Sequence, residues 1–381
     1  MPAFYRVPAD ASTKTPGTLL KAETVAAPGV VGTAYRVMYV STNVDGQPAA
    51  VTGVIFVPPT PPPSDGYPVV SWAHGTNGIA DECAPSLDPQ DVLPATILNE
   101  MLTRGWEVAA TDYQGEGTPP WILPYLVGSV AAEDAIDIVR AARQLSAAHA
   151  GASYVVWGHS EGGQTAMFAW KLGPTYGSQS GLHLLGVVAG APPSRLYGIY
   201  NTVTGPNRVF LYMAIAGYNS AYGGRKAPLS GILTALGRRL LPDLTQGCLT
   251  QVQALVDRYP GMQLMDGDPN AIHSWNTLLT VNDPAAFSSA SKIPLLIIQG
   301  GDDQIVSVSS TASLTGFLCS EGGDVERWLY PGLSHAGVVL VSAGDMTQWM
   351  SDRFAGGASP DPYVPIGEPD IQVTTCAQLL G

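Results

Sequence analysis

The chain has 381 residues, 45% hydrophobic and 13% charged, a composition that suits a packed globular protein and argues against disorder. Its formal net charge of −13 disfavours a nucleic-acid partner, because phosphate binding needs clustered Lys and Arg and no basic run is longer than Arg238-Arg239. No stretch reaches the apolar length of a membrane span, and the opening MPAFYRVPADAS lacks the charged-then-apolar order of a signal peptide.

Residues 35–42 (YRVMYVST) alternate as a strand, Asp45-Gly46 is a tight-turn signal, and 49–57 (AAVTGVIFV) reads as a second strand. An antiparallel hairpin is expected there. The proline-dense stretch 58–68 reads as a stiff surface loop. A strand-helix rhythm then begins, with strands expected at 67–76, 106–117, 153–160, 183–192, 294–303 and 325–332. Helices are expected at 130–145 and from Glu161 to Leu172. The first of these gathers Ala135, Ile138, Val139, Ala142 and Leu145 on one face, with Glu133, Asp137 and Arg140 opposite. Near-continuous apolar strands separated by helices imply an α/β fold, a mostly parallel sheet covered on both faces.

Residues 194–290 break that rhythm. They hold aromatic- and glycine-rich turns such as YMAIAGYNSAYGG, and amphipathic helices at 229–241 and 249–259. So long a span between two core strands is not a loop. It reads as a helical cap inserted over one end of the sheet, within a single domain of residues 1–381. No internal repeats are visible. Cys83, Cys248, Cys319 and Cys376 permit two disulfides in any of three pairings, and without a C-x-x-C no zinc site is expected.

Gly158-His159-Ser160-Glu161-Gly162 fits G-x-S-x-G between an expected strand and an expected helix, the context of a nucleophile elbow. The turn is sharp enough to need glycines, and it lifts the Ser160 hydroxyl to the start of a helix, where developing negative charge is favoured. A serine needs a base. Of His74, His149, His159, His183, His273 and His335, only His335 lies in a loop beyond the last expected strand, in GLSHAG. The chain order Ser, acid, His of this architecture selects it. The acid comes from QGGDDQIV, where Asp302 and Asp303 compete; Asp303 is preferred, and Asp302 is expected to cap the following helix. Oxyanion donors are expected from the backbone N–H of Glu161 and from the HGTNG loop, at Thr76 with Asn77 as the alternative.

With these parts in order, the chain resembles the secretory lipase family of α/β-hydrolases. The likeness is carried by VVSWAHGTNGIADECAPS (69–86), TDYQGEG (111–117), WGHSEGGQTA (157–166), GVVAGAPPS (186–194), QGGDDQIV (299–306) and GLSHAG (332–337), and it extends to the opening FYRVPAD. The resemblance implies an α/β-hydrolase fold with a large helical cap, a secreted serine esterase or lipase, and small-molecule ester or lipid substrates. It implies no cofactor, no metal and lipid-interface contact through the cap. It assigns the triad to Ser160, Asp303 and His335, and pairs Cys83 with Cys248 and Cys319 with Cys376. Acyl transfer to an alcohol is the alternative outcome, and amidase chemistry uses the same parts. One departure from the family pattern is Glu161, whose carboxylate stands beside the nucleophile. It is expected to slow acyl transfer or to shift the pH optimum.

Overall fold

The computed structural model describes residues 1–118, 122–356 and 370–381. Its strands are β1 (Leu19–Val25), β2 (Thr33–Thr42), β3 (Pro48–Val57), β4 (Tyr67–Ala73), β5 (Glu107–Thr111), β6 (Ala150–His159), β7 (His183–Gly190), β8 (Leu295–Gly300), β9 (Val325–Tyr330) and β10 (Gln372–Thr375). They form one sheet in the order β1-β2-β3-β5-β4-β6-β7-β8-β9-β10. The six strands from β5 to β9 run parallel, and antiparallel strands flank them on both sides.

The apolar runs work as the sequence implies, because successive side chains leave a strand on opposite faces. Val156, Val187 and Ile297 enter one core, with the helices α2 (Gly128–Ala142) and α3 (Glu161–Leu172). Their neighbours Val155, Val188 and Ile298 enter the other, with α1 (Ala95–Thr103) and the helix Ala343–Phe354. A third apolar cluster lies between β7 and β8 in sequence, among α4 (Leu196–Thr202), α5 (Arg208–Lys226) and the helices Leu249–Asp257 and His273–Val281. Tyr113 and Tyr125, from the strand-exit side, belong to this same cluster. It therefore packs onto the carboxyl ends of the strands.

The β2–β3 hairpin forms as expected, with Gly46 at φ +74 in its turn. Several expectations are corrected. YMAIAGYNSAYGG is not a set of turns but most of α5. Burial of Tyr212, Met213, Ile215 and Tyr218 outweighs the turn propensity of its glycines, and Gly217 lies where a Cβ would collide with the Tyr125 backbone. The helix expected at 229–241 shrinks to Ala235–Leu240. Gly231 takes φ +83, Leu233 bridges Met265, and the Thr234 hydroxyl caps the helix by accepting from Gly237 N–H. Asp137, expected on a solvent face, is buried, because residues 176–180 fold over α2; the Tyr176 hydroxyl donates to it at 2.8 Å and Arg140 pairs with it. β1 and β10 are edge strands that the sequence reading missed, since neither carries the apolar run of a central strand.

Both disulfides, Cys83–Cys248 and Cys319–Cys376, are present in the pairing the resemblance implied. No described helix is long and apolar enough to cross a membrane, and the described residues contain no cluster of His, Cys, Asp or Glu fit to hold a metal ion.

Candidate active site

Parallel strands bring their exits to one edge of the sheet, the usual place for a site in this architecture. The exit of β6 is the elbow. Ser160 adopts φ 60 and ψ −119, a conformation that a non-glycine residue holds only when its surroundings enforce it. The enforcement is steric. A Cβ on Gly158 would overlap the Gly162 carbonyl, and one on Gly162 would overlap the carbonyl of Ala73 at the end of β4. β6 and α3 can therefore meet at so acute an angle only with hydrogen in those two places. Glu161 begins α3, so its backbone N–H has no partner within the helix.

The exit of β8 supplies Asp303 and the exit of β9 supplies His335. His335 Nδ1 lies 2.7 Å from Asp303 Oδ2. The same oxygen accepts from Gln299 Nε2 at 2.9 Å, while Oδ1 accepts from the N–H groups of Ile305 and Val306. Burial acts to raise the Asp303 carboxyl, but the bond from His335, its charge and the two backbone donors outweigh it and hold the group below the usual carboxylate range. The carboxylate thus stays charged and fixed against the imidazole. Asp302 makes no helix cap; Ser307 does, accepting from Ser309 N–H.

The exit of β4 carries His74, Thr76 and Asn77. The Thr76 hydroxyl lies 2.8 Å from the Tyr125 hydroxyl, and its backbone N–H donates to no backbone carbonyl among the described residues. The Asn77 carbonyl accepts from Leu249 N–H at 2.6 Å and its side chain lies 3.3 Å from His74 Nδ1; its backbone N–H, like that of Thr76, donates to no backbone carbonyl among the described residues.

Beside Ser160 opens an apolar cavity of about 610 Å³, counted to its open mouth, with Tyr125, Leu196, Phe210, Tyr218, Leu279 and Val306 in its wall. The wall joins residues of the strand exits to residues of α4 and α5.

Three features of the site escaped the sequence reading. The ring of His159 packs on His335 with centroids 4.6 Å apart. Burial, with the charge of His335, pushes it down to about 3, so it stays neutral. Tyr125 sits in a stretch without any motif. The third feature is a buried pair, His74 Nε2 and Glu116 Oε2, 3.5 Å apart; Glu116 was visible only as part of TDYQGEG. His149, His183 and His273 are exposed.

A model of secretory lipases matches residues 92–361, more than two thirds of the chain. The chain belongs to the secretory lipase family. Its fold is similar to that of Candida antarctica lipase A in its closed state, with a TM-score of 0.80 at 19% identity over 97% of this chain and 88% of that one. It is also similar to the rice cell wall degrading esterase LipA from Xanthomonas oryzae, with a TM-score of 0.72 at 18% identity, covering 90% and 97% of the two chains. Lipase A of Arthroderma benhamiae is 23% identical over 93% of this chain and 79% of its own length. Family and fold make the chain a carboxylic ester hydrolase of the lipase and esterase class. A relative from Mycobacterium tuberculosis, 26% identical over 97% of this chain and 85% of its own length, is named a probable inactive lipase. Membership of the family therefore does not by itself guarantee turnover; that depends on this chain's own residues.

Proposed function

We propose that the protein hydrolyses carboxylic esters through Ser160, His335 and Asp303 by way of an acyl-enzyme. His335 takes the Ser160 proton as the oxygen attacks the acyl carbon, and returns it to the departing alcohol. Asp303 holds the imidazole in the tautomer that presents Nε2 to the serine and stabilises the imidazolium that forms. The backbone N–H groups of Glu161 and Thr76 receive the oxyanion. Water, deprotonated by the same histidine, then releases the acid. The chemistry needs no cofactor and no metal.

The observation that carries this reading is the Asp303–His335 bond, made at the same sheet edge where Ser160 is held in a strained turn. The apolar wall beside Ser160 suits a hydrocarbon acyl group, so the substrate is a small ester or a lipid. Residues 194–290 act as a cap on the single domain of residues 1–381, and the exposed Tyr197, Met262 and Val281 on it provide contact with a lipid interface. Two disulfides fit work outside the reducing cytosol, in a secreted protein.

The test is a series of nitrophenyl esters of rising acyl length, with wild type and Ser160→Ala. Wild type is expected to cleave them with labelling of Ser160 by a phosphonate. Ser160→Ala is expected to lose roughly 10⁴-fold or more in kcat. Retained activity in Ser160→Ala overturns the mechanism, and a wild type that neither turns over nor labels has gone the way of the inactive relative.

A further inference from the structure

The carboxyl group of Glu161 has no role in the reaction as derived, although its own backbone N–H is assigned to the oxyanion. Glu161 is 3% exposed, and its Oε2 has no hydrogen-bond partner. The side chain is buried between the exits of β4 and β5. From the β4 side it faces His74 and the hydroxyl of Thr76. From the β5 side it faces Glu116 and Tyr113, and from the segment before α2 it faces Tyr125. On α3 itself, Thr165 donates to the Glu161 carbonyl, not to its carboxyl. Within this space His74 is paired with Glu116, whose two oxygens have no hydrogen-bond donor of their own.

We propose that Glu161 is a positioning residue which works as a neutral carboxylic acid, tying the Thr76 loop to the elbow so that the two oxyanion donors stand at a fixed separation, and that its ionisation disables the oxyanion hole. This rests on the ester-hydrolysis reading and deepens it. The two donors come from different strand exits, and a link between them must be made by side chains. A neutral Glu161 O–H can donate to the Thr76 hydroxyl, which in turn lies within hydrogen-bond distance of Tyr125. Three buried carboxyls, Glu161, Glu116 and Asp112, face one imidazole; Glu116 lies 3.5 Å from it and Asp112 accepts from Thr52 and Ser86, so Glu161 is the one that keeps its proton. Burial is the largest influence on Glu161 and pushes it up to about 8, against the opposing charge of His74. For His74 burial acts downward, but the charge and contact of Glu116 prevail and raise it to about 9. Near neutral pH the favoured state is thus His74 charged, Glu116 its counter-ion and Glu161 neutral. Loss of the Glu161 proton places a second uncompensated negative charge one residue from the amide that must bind an oxyanion. Buried beside that amide, the charge is screened less than it would be in bulk water.

The experiment is kcat against pH from 5 to 10 on a soluble short-chain ester, for wild type, Glu161→Gln, Glu161→Ala and Thr76→Val. The quantity read is the ratio of kcat at pH 7 to kcat at pH 10 within each enzyme. Wild type is expected to fall about tenfold over that span as the carboxyl ionises. Glu161→Gln, which keeps the shape and a donor but cannot ionise, is expected to lose this alkaline fall. Glu161→Ala is expected to lose kcat at every pH with KM little changed, and Gln at the same position to restore it. Thr76→Val removes the acceptor of the Glu161 O–H, and is expected to lose kcat at every pH as Glu161→Ala does. An unchanged alkaline fall in Glu161→Gln overturns the proposal, as does Glu161→Ala with the wild-type profile. If Glu161→Gln does not fold, wild-type kcat in Thr76→Val does the same. Should Ser160→Ala match wild type, the hydrolysis reading fails and this inference with it. An active enzyme whose profile ignores Glu161 refutes only the inference.

Discussion

Asp303 accepts four hydrogen bonds, and only one of them comes from His335. The other three fix the carboxylate before any substrate arrives, which makes it a rigid support for the imidazole. Asp303→Asn is expected to keep the fold, because Asn retains the shape and one acceptor oxygen. It would also present an NH₂ to Nδ1 and so favour the wrong tautomer. The expected result is a loss of roughly 10⁴-fold in kcat with little change in thermal unfolding, read by steady-state kinetics and calorimetry. Wild-type turnover in Asp303→Asn would mean the acid lies elsewhere. At this scale the sequence was informative where a motif or chain order constrained the choice. Ser160, Asp303 and His335 were all picked from their positions relative to expected strands. The contact of His159 with His335 was not legible because it joins the exits of β6 and β9, a neighbourhood that no local pattern encodes. The His74–Glu116 pair was missed for the same reason: it joins β4 to β5.

The β4 exit loop and the inserted helices behave as one element. Cys83 is bonded to Cys248, Gly78 bridges Cys248, and Leu249 N–H donates to the Asn77 carbonyl at 2.6 Å. The loop that carries Thr76 is therefore anchored to the helix Leu249–Asp257. The crosslink spans 165 residues, for which the chain-entropy model gives a stabilisation of about 5 kcal/mol, an upper figure. The double variant Cys83→Ser and Cys248→Ser is expected to lower the unfolding temperature and to lose kcat more than the Cys319→Ser and Cys376→Ser pair, whose bridge ties the helix Val308–Ser320 to the C-terminal segment. Equal loss of kcat in the two pairs would refute the anchoring role. The sequence reading was weakest in this insertion. Its helices are short and packed on one another, so tertiary burial decided their limits against local propensity. α5 formed through a run that reads as turns, and the segment 229–234 stayed non-helical through a run that reads as amphipathic helix.

Across the whole molecule, buried acids dominate the response to pH. Burial raises Glu161 to about 8 and Glu116 to about 7 against the charge of His74, raises Asp137 to about 6 against Arg140, and with the charge of Asp137 raises Glu133 to about 7, while Glu116 raises His74 to about 9 against its own burial. A group whose folded-state pKa is raised stabilises the fold below its unfolded value and loses that contribution as pH rises through the folded one. The acids begin to lose it near pH 4.5 and His74 near pH 6.5, and all have lost it by about pH 9. Asp303, held low, acts oppositely but only in the acid range. The unfolding temperature is therefore expected to fall steadily between pH 5 and pH 9, and a rise over that interval would contradict the assignment. Why this molecule tolerates so many buried carboxyls is not legible in its sequence, where Glu116, Asp134 and Asp137 look like ordinary polar residues of loops and helix surfaces. What the sequence by itself determined was the alternation of apolar strands with helices, the glycine-flanked turn at Ser160 and the order in which the acid and the histidine follow it. Those are local or ordinal properties, set by backbone sterics and by the periodicity of burial. Only the tertiary structure decided what faces what across neighbouring strands: the proton-sharing groups behind the elbow, the helices that close the cavity, and the anchoring of the Thr76 loop. Such contacts depend on distance in space, and side chains from separate strand exits acquire their charge states only once water between them has been removed.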